Sequence, residues 1–170
     1  MTKIIWRKEW QLYPPGVIPF NADGSVPFGD PLGGLFLPAD YLGFMQRSEG
    51  AALRDRGSWF LARFQDGTLP CEIEWLGDMR NLRLGTISCY RDPDMAQHCL
   101  PPTYVYIGYA EPGPYDVVMN ALRGDPDYGK VYVWHHAHDP WMTGSNTRGL
   151  GLVADSFTAF MNGLASKDKL

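Results

Sequence analysis

Tyr104-Val105-Tyr106-Ile107-Gly108-Tyr109, then Tyr115-Asp116-Val117-Val118-Met119, then Val131-Tyr132-Val133-Trp134 are the three runs whose reading decides the fold. Each is rich in β-branched and aromatic residues, which fit a pleated, half-buried surface. A Pro/Gly turn separates the first from the second, and Asp125-Pro126-Asp127-Tyr128-Gly129 turns the chain before the third. The gaps are too short for crossover helices, so the sheet is expected to be largely antiparallel.

The same signals extend upstream. Residues Ser58 to Gln65 and Glu72 to Leu76 read as strands around a turn at Asp66-Gly67, and Leu82 to Ser88 as a further strand. A helix is expected to start at Leu37-Pro38-Ala39-Asp40, because proline costs nothing where its missing N–H would have no intrahelical partner. Leu37, Tyr41, Phe44 and Met45 then share one apolar face, with Gly50 as the stop. After a Gly-rich loop from Thr143 to Gly151 comes a closing helix capped by Asp155 or Ser156. Its residues Phe157, Phe160, Met161 and Leu164 follow i, i+3, i+4, i+7 spacing and are expected to press on the sheet.

Residues 1–34 are dense in turn formers, yet Trp6, Trp10, Ile18, Phe20, Val26 and Phe28 are too apolar for a free linker. They are expected to form an ordered arm, with a short hairpin at Asp23-Gly24. The expected architecture is α+β: a single domain over residues 35–170, with a largely antiparallel sheet flanked by an N-proximal and a C-terminal helix.

Composition narrows the function classes. In 170 residues, 45% are apolar and 20% charged, which is ordinary globular usage. The formal charge of −4 argues against direct nucleic-acid binding, which needs clustered cations. No apolar run of about 18 residues is present, so no membrane span is expected. The charged start Met1-Thr2-Lys3-Ile4-Ile5-Trp6-Arg7-Lys8-Glu9 does not read as a secretory leader, which points to a cytoplasmic chain. Cys71, Cys89 and Cys99, odd in number and without CxxC spacing, read as reduced thiols.

Four segments together resemble the SUKH superfamily of cell-wall-assembly-regulator-like and immunity proteins. Leu37-Pro38-Ala39-Asp40-Tyr41-Leu42-Gly43-Phe44-Met45 is similar to that family's opening helix. Ile107-Gly108-Tyr109 with Tyr115-Asp116-Val117-Val118 is similar to its paired central strands. Gly129-Lys130-Val131-Tyr132-Val133-Trp134 followed by histidine is similar to its next strand, and Val153-Ala154-Asp155-Ser156-Phe157-Thr158-Ala159-Phe160-Met161 to its terminal helix. The match spans roughly residues 35–165 in the family's order. Ser48-Glu49-Gly50 stands where an Asn-Gly-Gly is common, and Tyr115 replaces a glycine before Asp116. The resemblance implies a non-enzymatic binding domain. Bacterial members act as immunity proteins that neutralise a cognate toxin, a nuclease or another polymorphic toxin, by direct binding.

The residues that could meet such a partner are Glu72, Glu74, Asp92, Asp94, Asp116, Asp139 and Trp141, acidic or aromatic groups expected on strand faces and loops. Acidic and aromatic groups covering a basic cleft would block it, with charge steering association. The rival chemistry is a His-dependent metal hydrolase at His135-His136-Ala137-His138-Asp139. In a continuing strand, His136 and His138 would share a face. That cluster lacks the final histidine of His-x-His-x-Asp-His, and His98 is the only other histidine in the chain. Adjacent His98 and Cys99 point apart on a strand rather than form a dyad. Gly144 to Gly151 lacks the Lys-Ser/Thr of a phosphate loop. No metal, cofactor or catalytic set is expected, and a regulatory scaffold without a toxin is the remaining alternative.

Overall fold

The computed structural model describes residues 3–8, 10–12, 23–25, 34–49, 53–54, 57–77, 103–113, 115–135 and 149–170. Its strands are β1 (Gln11–Leu12), β2 (Leu53–Arg54), β3 (Trp59–Phe64), β4 (Gly67–Leu76), β5 (Tyr104–Glu111), β6 (Tyr115–Asn120), β7 (Val131–His135) and β8 (Leu150–Ala154). Helix α1 spans Ala39–Arg47 and helix α2 spans Phe157–Gly163. The chain is an α+β domain in which both helices flank an antiparallel sheet.

The sheet follows sequence order and returns on itself. Strands β3 to β8 pair in succession, and β8 meets β3 where Leu152 lies opposite Arg63. Each of these six strands therefore has a neighbour on both sides. The short β1 and β2 extend the β4 side, with Leu53 opposite Leu76.

Alternation sorts the side chains into two clusters. The larger one joins Phe60, Ile73, Ile107, Val117 and Val133 of the sheet to Tyr41 and Phe44 of α1 and Phe160 and Met161 of α2. On the opposite face Tyr104, Tyr106, Val118, Tyr132 and Trp134 form a second buried group. Phe160 meets the sheet as expected, edge-on to Phe60 at 5.3 Å. Phe157 turns instead to α1, at 4.8 Å from Tyr41 and 5.1 Å from Phe44.

Polar contacts lock the helices together. Ser156 caps α2, its Oγ accepting the Ala159 N–H at 3.0 Å. Asp40, in the first turn of α1, accepts the Thr158 N–H at 2.7 Å. One carboxylate thus serves the N-terminal ends of both helices, where unpaired N–H groups and the helix dipole favour negative charge. The arm is held by α2: Asn162 accepts the Ile5 N–H at 2.8 Å and donates to the Lys3 carbonyl at 3.1 Å. Arg7 donates to the Leu164 carbonyl. Trp6 stacks on Phe44 at 5.5 Å, and Trp10 is buried.

Several expectations needed revision. Leu150–Ala154 is a strand, not the end of a loop and the approach to a helix. Gly151 disguised it: a Cβ there would lie 2.7 Å from the Phe64 ring, so a larger residue would require that ring to move. Strand β4 starts at Gly67, earlier than Glu72, although it contains Pro70. Strand β5 reaches β4 only from Glu72 onward, so Pro70 lies where β4 has a single neighbour and its missing N–H breaks no second ladder. Helix α1 ends before Gly50, because Glu49 takes the left-handed conformation at φ 53°. Asp23 turns the chain by accepting the Ser25 N–H, and Ser25 then pairs with Phe36 ahead of α1. The flanks of the hairpin expected there, and the strand expected at Leu82 to Ser88, lie outside the described residues.

Gly108 marks the closest approach of β4 and β5. A Cβ there would meet the Trp75 carbonyl oxygen at 2.6 Å, an atom fixed by the ladder. The variant Gly108→Ala is expected to lose about 1–3 kcal/mol, read as a lower urea midpoint. An unchanged midpoint would refute this packing.

Candidate protein-binding strip on β3, β4 and β5

Register brings acidic and aromatic groups together on the sheet face away from the helices. Trp59 on β3 lies opposite Glu72 on β4, and Glu72 lies opposite Glu111 on β5. Two residues on from Glu72 a bulge shifts the register, so that Glu74 and Trp75 face Tyr109. Tyr109 in turn lies opposite Asp116 on β6. Burial alternates along β4, with Cys71 and Ile73 inward and Glu72 and Glu74 partly exposed, so both glutamates sit on the outer face as their spacing implied.

Among the described residues the arrangement sets carboxylates beside one another. Like charges directly opposite on paired strands destabilise by about 0.2–1 kcal/mol. None of Glu72, Glu74 and Glu111 forms an ion pair among the described residues. Glu72 is steadied by the Gly57 N–H, which it accepts at 2.7 Å. Burial first, and then the Glu111, Glu74 and Asp116 carboxylates, push the Tyr109 phenol above its ordinary value. Lys167 lies over the Trp59 ring at 4.4 Å and forms no ion pair with these glutamates among the described residues.

The other expected contacts fare differently. Asp116 is buried at 7% exposure, so it stands behind Tyr109 rather than on the surface. Asp92, Asp94, Asp139 and Trp141 lie outside the described residues. Glu111, Trp59 and Tyr109 escaped the sequence reading. Glu111 follows Tyr109 at the two-residue spacing of one strand face, but its position opposite Glu72 depends on a β4–β5 register that no local signal specifies.

His135 ends β7, with its N–H donating to the Gly149 carbonyl at 2.8 Å. Its ring stands edge-on to Tyr115, with centroids 4.5 Å apart, in an aromatic contact on the core-facing side. His136, His138, Asp139, His98, Cys89 and Cys99 lie outside the described residues. Among the described residues no group of three or more His, Cys, Asp or Glu is placed to hold a metal ion, and no helix is long and apolar enough to cross a membrane.

Burial pushes the Cys71 thiol up to about 12, which leaves no thiolate for nucleophilic work near neutrality. The Tyr104 phenol is also raised to about 12, by burial and then by Asp127 and Asp125. Both groups are neutral when protonated, and the fold penalises their anions. The unfolded chain releases these protons from the ordinary values of 9.0 and 10.0, whereas the folded chain keeps them until about 12. The Cys71 contribution falls as pH rises beyond 9 and the Tyr104 contribution as it rises beyond 10, each by about 1.4 kcal/mol per pH unit. Urea unfolding between pH 8 and pH 11 is expected to show this decline, with a shallower slope for Cys71→Ala. Parallel slopes for the two proteins would contradict it. Comparison of the chain with family models, with curated proteins and with solved structures finds no match in any of the three.

Proposed function

We propose that this chain is a non-enzymatic, SUKH-like protein-binding domain, a cytoplasmic immunity protein that neutralises a cognate bacterial toxin by direct binding. The observation that carries the proposal is the strip of Glu72, Glu74 and Glu111, set side by side with no ion pair among the described residues. A protein that keeps mutually repelling carboxylates on one face gives up stability that a cationic partner restores. Toxins that act on nucleic acid present such a partner, because a phosphate-binding cleft is lined with Lys and Arg.

The mechanism is occlusion. Long-range attraction between the acidic strip and the basic cleft speeds encounter and selects orientation. Trp59 and Tyr109, partly exposed beside the glutamates, supply rigid apolar contact that holds the complex once water is expelled. The partner's cations then meet carboxylates instead of substrate phosphates. No bond in the partner is made or broken.

Capture of partners from the native cell with the tagged protein, followed by co-expression rescue, tests the reading. A stoichiometric partner that kills cells unless this protein is present supports it. A stoichiometric partner that is harmless alone rejects it in favour of a regulatory scaffold. Glu111→Gln provides the finer test, since it leaves the Glu72 bond to Gly57 intact. Partner association is expected to slow about tenfold at low salt, while the urea midpoint holds or rises as the Glu72–Glu111 repulsion is relieved. An unchanged association rate would remove the strip from the interface.

A further inference from the structure

We infer that the groove between α1, α2 and the N-terminal arm is a binding site for a small amphipathic anion, a carboxylate carried on an aliphatic or aromatic body. This site lies on elements that the acidic strip does not use, and it does not depend on the toxin-binding reading. The groove has a volume of about 890 Å³ and a mostly apolar lining that includes Ile4, Trp6, Phe44 and Ala159. Sites for small organic ligands occupy roughly 300–1,000 Å³ and combine such a lining with a few polar groups that fix orientation.

Those polar groups are cationic. Lys3 and Arg47 both line the groove, and neither forms an ion pair among the described residues. That is notable in a chain where Asp plus Glu number 19 against 15 Lys plus Arg. The Arg47 guanidinium lies 4.2 Å over the Trp6 ring, and that ring in turn stacks on Phe44. This contact places the guanidinium over the ring, and among the described residues no hydrogen bond or ion pair takes its N–H groups, which can hold a carboxylate through two parallel hydrogen bonds. Asp40, the one carboxylate among the described residues lining the groove, accepts the Thr158 and Tyr41 N–H groups and forms no ion pair with Arg47.

Gly43 is a separate indication. It sits in the interior of α1 on the groove wall, and a Cβ there would meet nothing within 4 Å. Packing therefore does not require glycine, which costs about 1 kcal/mol relative to alanine in a helix. Its effect is to keep the groove open. A ligand would lay its apolar body along Gly43, Phe44 and Ala159 and direct its carboxylate to Arg47, with Lys3 adding charge.

Calorimetric titration with 4-phenylbutyrate, and with its neutral amide as control, tests the site on the full chain. The acid is expected to bind saturably and the amide at least about tenfold more weakly, as loss of a charge-assisted pair implies. Arg47→Met, which keeps an apolar stem beside Trp6, is expected to weaken the acid about tenfold. Gly43→Leu projects a side chain into the groove beside Phe44 and is expected to weaken the acid at least about tenfold with no fall in Tm, since leucine is the better helix former. Equal binding of acid and amide, or undiminished binding in Gly43→Leu, overturns the proposal. So does absence of binding by the acid, whether or not an acidic peptide occupies the groove.

Discussion

Strand β4 is the constraint on which the rest depends, because its two edges carry different neighbours over different lengths. Its first half pairs with β3, and from Glu72 onward it also pairs with β5. That overlap turns a meander into a closed circuit. The same strand delivers Cys71, Ile73 and Leu76 to the core and Glu72 and Glu74 to the outer face. The bulge after Ile73 makes both possible, since it lets Trp75 join the aromatic group on the outer face while Leu76 returns inward. Bulges bend the strand that contains them and re-aim its side chains, and here that bend sits beside the candidate site.

What was legible in the sequence was what short-range pattern controls. Alternating β-branched and aromatic residues announced β5, β6 and β7, and the Leu37, Tyr41, Phe44, Met45 stripe announced α1, because neighbours a few residues apart determine those choices. What was hidden depended on contacts between distant segments. Strand β8 was masked by Gly151, whose presence is explained only by the Phe64 ring on β3. Asp40 was recognisable as an acid near a helix start, yet the N–H that it satisfies belongs to the other helix. Glu111 was visible as a residue but not as a partner of Glu72, because register between β4 and β5 is set by closure of the whole circuit. Alternation did put Glu72 and Glu74 on one face, so part of the strip was already in view.

Charge is divided unevenly over the described residues. Glutamates collect on β4 and β5, while Lys3 and Arg47 border the groove between the helices and the arm. The two regions are built differently. The strip is fixed by ladder hydrogen bonds, whereas the groove depends on an arm held by Asn162, Arg7 and one stacked tryptophan. Side-chain tethers of this kind characterise segments that open locally, although Trp10 anchors the arm in the core.

The closed circuit has one more consequence. A sheet with open sides offers rows of unpaired N–H and C=O groups, which recruit strands from other chains and seed aggregation. Here every strand of the circuit is flanked on both sides, and the outermost addition, β1, is only two residues long. Among the described residues the circuit therefore offers little free backbone on which another chain could build a strand.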